Sequence, residues 1–246
     1  MGRGGWLAML VTLAACGPAG PEPVVVFAAA SLREPVDAVA DRWEAAHGVP
    51  VHRNFAGSNT LALQIAAAPV ADVFLSADPA WADHVADRTA ARVPFVRNRL
   101  VVIARADAGH VVSRPADLAD LDFRHLAVGH PEAVPAGRYA KAWLSSQRVG
   151  EGTLYDAVAS RLAPALDVRA ATAMVEANRD VIGIVYATDA RASDGVRVLH
   201  EIENGPDVQY VAARLSRGSE TASSMFDALT GPGGLAVFAA HGFVGP

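Results

Sequence analysis

Ser31 and Ser58 each end an apolar, strand-like run and open a helix-like one, in Val24-Val-Val-Phe-Ala-Ala-Ala-Ser31-Leu32 and Phe55-Ala-Gly-Ser58-Asn-Thr-Leu61. Neither turn carries a Lys. A hydroxyl at a helix start can simply cap it: Ser31 with Glu34 spells a capping box, and Ser58 ahead of Leu61 and Ile65 reads as a plain cap. It can also bind an oxyanion. A helix N-terminus has backbone N–H groups without intrahelical partners and about +0.5 of an elementary charge, enough to favour an anion without a cationic side chain. Two such ends facing each other would make a pocket held by neutral dipoles. The third chemistry open to Ser31 or Ser58 is nucleophilic, with one of the His residues as base. This leaves a secreted serine hydrolase as the alternative of another class. Ser58 in Ala56-Gly57-Ser58-Asn59 lacks the second glycine of a nucleophile elbow, which weighs against it.

Other constellations are weak. The eight His residues are scattered, with no His-Glu-x-x-His and a single Cys in the chain, so a zinc-type cation site has little support. Walker and Gly-x-Gly-x-x-Gly loops are absent from the sequence. Asp72 and Asp78 flank a strand and read as strand-end or lobe–lobe residues rather than a catalytic carboxylate pair. Trp43, Trp81 and Trp143 stand among Ala and Val at helical spacing, as core residues do.

The elements that must position the two serines alternate strand and helix, the pattern of α/β layers around a mainly parallel sheet. Strands are expected at Val24–Phe27, Val49–Asn54, Ala71–Ser76 and Arg99–Ala104. The intervening helices end near His47-Gly48, cover Ser58–Ala67 and run from Pro79 to Asp87. A second set follows: Leu126–Gly129, a helix from Gly137 to about Arg148, an edge near Ala165–Val168, a helix Arg169–Asn178 and the strand Val181–Tyr186. The chain closes with a strand Val208–Ala213 and helices Glu220–Leu229 and Gly234–His241.

With 246 residues, 52% hydrophobic and 19% charged, the chain can bury a sizeable core in one large or two modest domains. The formal net charge of −5 argues against nucleic acid as a partner, which calls for a basic patch or stripe. Local dipoles can still hold a small anion in an acidic protein.

At the N-terminus, Arg3 precedes the apolar run Trp6–Ala15 and the only cysteine, Cys16, in Leu13-Ala-Ala-Cys16. The run is too short for a finished transmembrane helix. It resembles a bacterial lipoprotein signal, in which cleavage leaves the Cys as a lipid-modified N-terminus. Residues 1–16 are therefore expected to be a signal with Cys16 lipidated, and residues 17–23, Gly/Pro-rich, a tether. A lone Cys makes no intrachain disulfide.

Several segments, in order, resemble the molybdate-binding proteins that serve bacterial ABC importers. They are Phe27-Ala-Ala-Ala-Ser-Leu32, Phe55-Ala-Gly-Ser-Asn-Thr-Leu-Ala-Leu-Gln-Ile65, Ala71-Asp-Val-Phe-Leu-Ser-Ala-Asp78, Asn98-Arg-Leu-Val101, Val128-Gly-His-Pro-Glu-Ala-Val-Pro-Ala-Gly-Arg-Tyr-Ala-Lys141 and Gly183-Ile-Val-Tyr-Ala-Thr-Asp189. The resemblance implies a two-lobed clamshell of the periplasmic-binding-protein type (type II), each lobe a mainly parallel sheet flanked by helices. Lobe one would span 24–98 and 207–246 and lobe two 99–206, with two crossings. It implies a molybdate site, open also to tungstate, formed by Ser31 and Ser58 through hydroxyl and N–H, Ala136 and Val168 through backbone N–H, and Tyr186 through its phenol. No catalytic residue, cofactor or free metal cation is implied. The partner would be a membrane permease, and the protein a monomer in the periplasm or on the cell surface, tied to the membrane by lipid. A receptor for another tetrahedral oxyanion such as sulfate is the nearest alternative. Three residues depart from the commoner family pattern: Asn59 where Ser is frequent, His130 where Asp is frequent, and Arg138 just past the Ala136-Gly137 turn. Arg138 is expected on the helix surface.

Overall fold

The computed structural model describes residues 21–246. Cys16, the signal-like residues 1–16 and most of the tether lie outside the described residues.

The chain starts with β1 (Val24–Ala29), a short 3-10 turn at Ala30–Leu32, and α1 (Arg33–His47). Next come β2 (Val51–Ala56), α2 (Ser58–Ala67), β3 (Val73–Ser76), α3 (Pro79–Asp83) and the long β4 (Thr89–Asn98). One residue later β5 (Leu100–Arg105) begins a second sheet, followed by α4 (Asp117–Asp120), β6 (His125–Gly129) and α5 (Pro135–Ser146). A two-residue ribbon, β7 (Arg148–Val149) with β8 (Gly152–Thr153), leads to α6 (Leu154–Val158) and β9 (Leu162–Ala165). Then α7 (Val168–Ala177), β10 (Val181–Tyr186), α8 (Ala187–Arg191) and β11 (Val196–Glu201) complete that half. The chain returns through β12 (Val208–Leu215) to α9 (Glu220–Thr230) and α10 (Pro232–Ala240).

Two five-stranded sheets result, ordered β2-β1-β3-β12-β4 and β11-β5-β10-β6-β9. In each, four strands run one way and one runs against them. The reversed strand of the first sheet is β12, antiparallel to β3 and β4; that of the second is β5, antiparallel to β10 and β11. Both reversed strands are the ones the chain enters on crossing between sheets. The fold is thus a two-lobed α/β clamshell, each lobe a predominantly parallel sheet with helices on its faces.

β1 is Val-Val-Val-Phe-Ala-Ala with five of its six residues buried, the composition of a strand covered on both faces. α1 turns Pro35, Val36, Val39, Ala40 and Trp43 inward along one stripe. α2 presses Leu61, Ala62 and Ile65 on Phe27 and Phe74 of the sheet's other face. Each such large apolar side chain, fully buried, contributes about 1.5–3 kcal/mol.

Two strands depart from the sequence reading. β4 carries Pro94 and a mostly exposed middle, features that conceal a strand from apolar patterning and that only a sheet edge tolerates. β11, half-exposed with a register shift at Val198/His200, is an edge strand of the second sheet. The edge expected near Ala165–Val168 lies earlier, at Leu162–Ala165, because Asp167 caps α7 and draws Val168 into the helix. The helix expected from Pro79 to Asp87 stops at Asp83 and gives way to a turn and a 3-10 segment at Ala86–Arg88.

Candidate functional site

Between the lobes lies a small cleft cavity. Its lining includes Ser31, Ser58, Ala136, Val168 and Tyr186, the five residues singled out from the sequence, together with Gly57, Ala77, Val134 and Asp167. A cavity this small excludes a drug-sized ligand and leaves room only for a ligand of few heavy atoms. Among the described residues, no Lys, Arg or His lines it.

Helix starts converge on this cavity. Ser31 sits in the 3-10 turn between β1 and α1, and Ser58 is the first residue of α2, whose N-cap is Gly57. Ala136 follows the N1 proline of α5, and Val168 opens α7. Backbone N–H groups at such positions have no acceptor within the helix, and the helix dipoles add positive potential. Close backbone approach sets two of these starts. A Cβ at Gly137 would collide with the Gly129 carbonyl oxygen, so only glycine lets α5 begin directly on the end of β6. A Cβ at Gly57 would come within 2.9 Å of the Leu166 carbonyl oxygen, which belongs to the opposite lobe.

Neither serine caps its helix. The N-cap of α1 is Leu32, without a side-chain bond, and Glu34 pairs with Arg169 instead of closing a capping box. Ser31 Oγ lies 2.9 Å from Tyr210 Oη. Ser58 Oγ accepts the Ala77 N–H at 2.9 Å, which commits one of its lone pairs to the protein and leaves its hydrogen to donate. Both serines are almost fully buried. Tyr186, 1% exposed, has a buried hydroxyl with no hydrogen-bond partner among the described residues. Burial pushes its phenol well above the ordinary tyrosine range, so it remains a donor. The one charged lining residue among those described, Asp167, caps α7 by accepting the Ala170 N–H at 2.9 Å.

Several contacts bridge the lobes around the cavity. Arg138 Nη1 on α5 meets Asp78 Oδ2 at 2.7 Å, so this arginine lies across the cleft rim rather than on a free helix surface. Asp78 also caps α3 through the Trp81 N–H, and Trp81 Nε1 donates to the Ala133 carbonyl at 2.8 Å. Trp81 is thus a bridge between lobes, whereas Trp43 and Trp143 are core residues. Arg169 pairs with Glu34 of α1 and, through Nε at 2.7 Å, with Asp189 of α8. Asp189 is completely buried, and desolvation pushes its carboxyl up to about 7 against the pull of Arg169. Asp72 is occupied elsewhere, accepting the Val25 N–H and meeting Arg217. His130 is exposed and outside the cavity lining. Among the described residues no group of three or more His, Cys, Asp or Glu could hold a metal ion.

Sequence reasoning passed over Asn98, Asp167, Ala77, Asp189 and Tyr210. Asp167 was detectable as an Asp N-cap directly before a helix. The others act through long-range contacts and left no local signal.

The sequence and the two-lobed fold have counterparts among known proteins. The sequence pattern of the bacterial extracellular solute-binding proteins matches residues 24–244. The molybdate-binding protein ModA of Escherichia coli K12 is 39% identical over 231 residues, 89% of this chain and 88% of that one. The molybdate-binding protein ModA of Haemophilus influenzae is 35% identical over 187 residues, covering 72% and 70%. In three dimensions, the periplasmic molybdate-binding protein of Azotobacter vinelandii superposes with a TM-score of 0.79 over 91% of this chain and 99% of its own, at 21% identity. The chain belongs to the bacterial extracellular solute-binding protein family, together with the molybdate-binding proteins of Escherichia coli and Haemophilus influenzae.

Proposed function

We propose that this protein captures molybdate, with tungstate as a second ligand, and delivers it to the permease of an ABC importer. The observation that carries the reading is the cavity itself: three hydroxyls, Ser31, Ser58 and Tyr186, and the starts of α2, α5 and α7 surround a small space that, among the described residues, no cationic side chain lines. These donors suit a fully deprotonated tetrahedral dianion, and the one carboxylate among the described lining residues, Asp167, has Oδ1 committed to the Ala170 N–H. Hydrogenphosphate brings a proton that would oppose a donor, at the cost of an unpaired buried group. Relatives of matching length are named for molybdate binding, which supports that oxyanion over sulfate.

As a member of a solute-binding family, the chain binds its ligand without transforming it. The hydrolase alternative gains nothing from the site, where the serines bond to Tyr210 and the Ala77 N–H rather than to a histidine. In our reading, residues 24–98 and 207–246 form the lobe holding Ser31 and Ser58, and residues 99–206 the lobe holding Ala136, Val168 and Tyr186. The protein acts outside the cytoplasm as a monomer, tied to the membrane through a lipidated Cys16. Among the described residues no helix is long and apolar enough to cross a membrane, so retention there would fall to the acyl anchor.

A thermal-shift panel of molybdate, tungstate, sulfate and phosphate tests the ligand. Molybdate at about 1,000 times its Kd stabilises the fold by about 4 kcal/mol. A larger shift with sulfate, or none with molybdate, refutes the assignment.

A further inference from the structure

Behind Ser31 lies a chain of hydrogen bonds whose direction is fixed by its far end. The Arg99 backbone N–H donates to Asn98 Oδ1 at 2.9 Å. A backbone N–H can only donate, so Oδ1 must face it, and the Asn98 amide presents its NH2 to the other side. There Nδ2 reaches Thr188 Oγ1 at 2.8 Å and Tyr210 Oη at 3.4 Å. Tyr210 therefore receives a hydrogen from Asn98 and cannot give its own back, because Nδ2 has no lone pair to accept it. Its remaining neighbour in this chain is Ser31 Oγ at 2.9 Å. Tyr210 donates to Ser31, which takes up one of the two lone pairs on Ser31 Oγ and leaves the Ser31 hydrogen free to donate into the cavity. Tyr210 is wholly buried and packs against Tyr186 with ring centroids 5.8 Å apart, so its hydroxyl is held in place. Burial also keeps the phenol protonated.

We propose that Asn98 and Tyr210 are positioning residues that keep the Ser31 hydrogen available to the ligand and thereby favour a fully deprotonated oxyanion over a protonated one. Ser58 acquires the same polarity from the Ala77 backbone N–H, which no side-chain substitution can remove. At Ser31 the polarity depends on side chains and can be reversed. Asn98 also occupies the last position of β4 before the chain crosses to the second sheet, and it touches Thr188 of that lobe. The relay is thus complete only with both lobes' residues in place.

The inference rests on the anion-binding reading above, and two nearly isosteric variants separate the two. Tyr210→Phe deletes the donor to Ser31. Asn98→Asp keeps an oxygen for the Arg99 N–H but puts an acceptor opposite Tyr210. The tyrosine then donates to the introduced carboxylate, and Ser31 must donate to Tyr210 and show lone pairs to the ligand. The probes are molybdate, sulfate and inorganic phosphate at pH 8, where phosphate is a singly protonated dianion. All three carry the same charge, so repulsion from the introduced carboxylate acts on them alike and cancels in affinity ratios.

Calorimetry on the wild type is expected to show molybdate binding and negligible phosphate binding. Tyr210→Phe leaves Ser31 able to donate to molybdate but free to turn a lone pair toward a protonated ligand, so the molybdate-to-phosphate affinity ratio falls roughly 2- to 12-fold while the molybdate-to-sulfate ratio stays within about twofold. In Asn98→Asp the molybdate-to-phosphate affinity ratio falls by at least about tenfold, while the molybdate-to-sulfate ratio stays within about twofold. A purely structural role would lower all three affinities together and leave both ratios unchanged, which overturns the proposal. An unchanged molybdate-to-phosphate ratio in Tyr210→Phe overturns it too. If the wild type fails to bind any of the three anions, the functional reading itself falls. Unfolding midpoints without ligand show that both variants are folded, and Tyr210→Phe carries the test alone if Asn98→Asp is not.

Discussion

Tyr186→Phe should change ligand binding and unliganded stability in opposite directions. The side chain is 1% exposed and its hydroxyl has no partner among the described residues, so in the unliganded protein that oxygen is a buried polar group without compensation. Removing it costs no internal hydrogen bond and relieves part of a desolvation penalty of about 1–3 kcal/mol. Urea unfolding without ligand should therefore give unchanged stability or a gain of up to about 1 kcal/mol. The same oxygen, held protonated by burial, is placed to donate to a dianion. A hydrogen bond to a charged group contributes about 1.5–3 kcal/mol, so molybdate affinity should drop roughly 12- to 160-fold. Molybdate at about 1,000 times the wild-type Kd stabilises the wild type by about 4.1 kcal/mol; with affinity weakened about 50-fold, the same concentration stabilises the variant by about 1.8 kcal/mol. Calorimetry and ligand-dependent unfolding measure the two effects separately. Wild-type affinity, or a clear loss of unliganded stability, would refute the assignment of this phenol to the ligand.

Ser58→Ala differs in kind, because it orphans the Ala77 N–H: unliganded stability should fall by about 1–3 kcal/mol and molybdate affinity by roughly 12- to 160-fold, both read by calorimetry and urea unfolding. For Asp189, whose folded pKa of about 7 lies above its ordinary value of 3.8, the folded state binds the extra proton. Its contribution to stability is accordingly present at low pH, declines as pH rises from about 4 to 7 and is flat above, and Asp189→Asn should remove that part of the pH dependence of unfolding. Cys16→Ser should release the protein from the membrane fraction; an unchanged distribution with an unmodified wild-type N-terminus would rule out lipid anchoring.

Much of the architecture was written locally. Val24–Phe27, Arg99–Ala104 and Val181–Tyr186 announce themselves as buried strands because a strand covered on both faces must be apolar along its whole length. The starts of α2 and α5 are marked by Gly-Ser and Pro-Ala-Gly, residue types chosen by backbone geometry that acts over one turn. β4 and β11 were hidden for the converse reason: an edge strand owes its existence to a partner elsewhere in the chain, and its own exposed residues carry no pattern. The site divides along the same line. Local sequence left Ser31 and Ser58 equally readable as caps, and only the ordered resemblance joined them to Ala136, Val168 and Tyr186. Tertiary structure decided that neither serine caps, that Arg138 reaches across to Asp78, and that Ser31 answers to Tyr210, 179 residues away. The physical reason is that a hydroxyl's role depends on which donor or acceptor lies within about 3 Å, and partners far apart in sequence, whether in one lobe or across the cleft, are set by the fold as a whole.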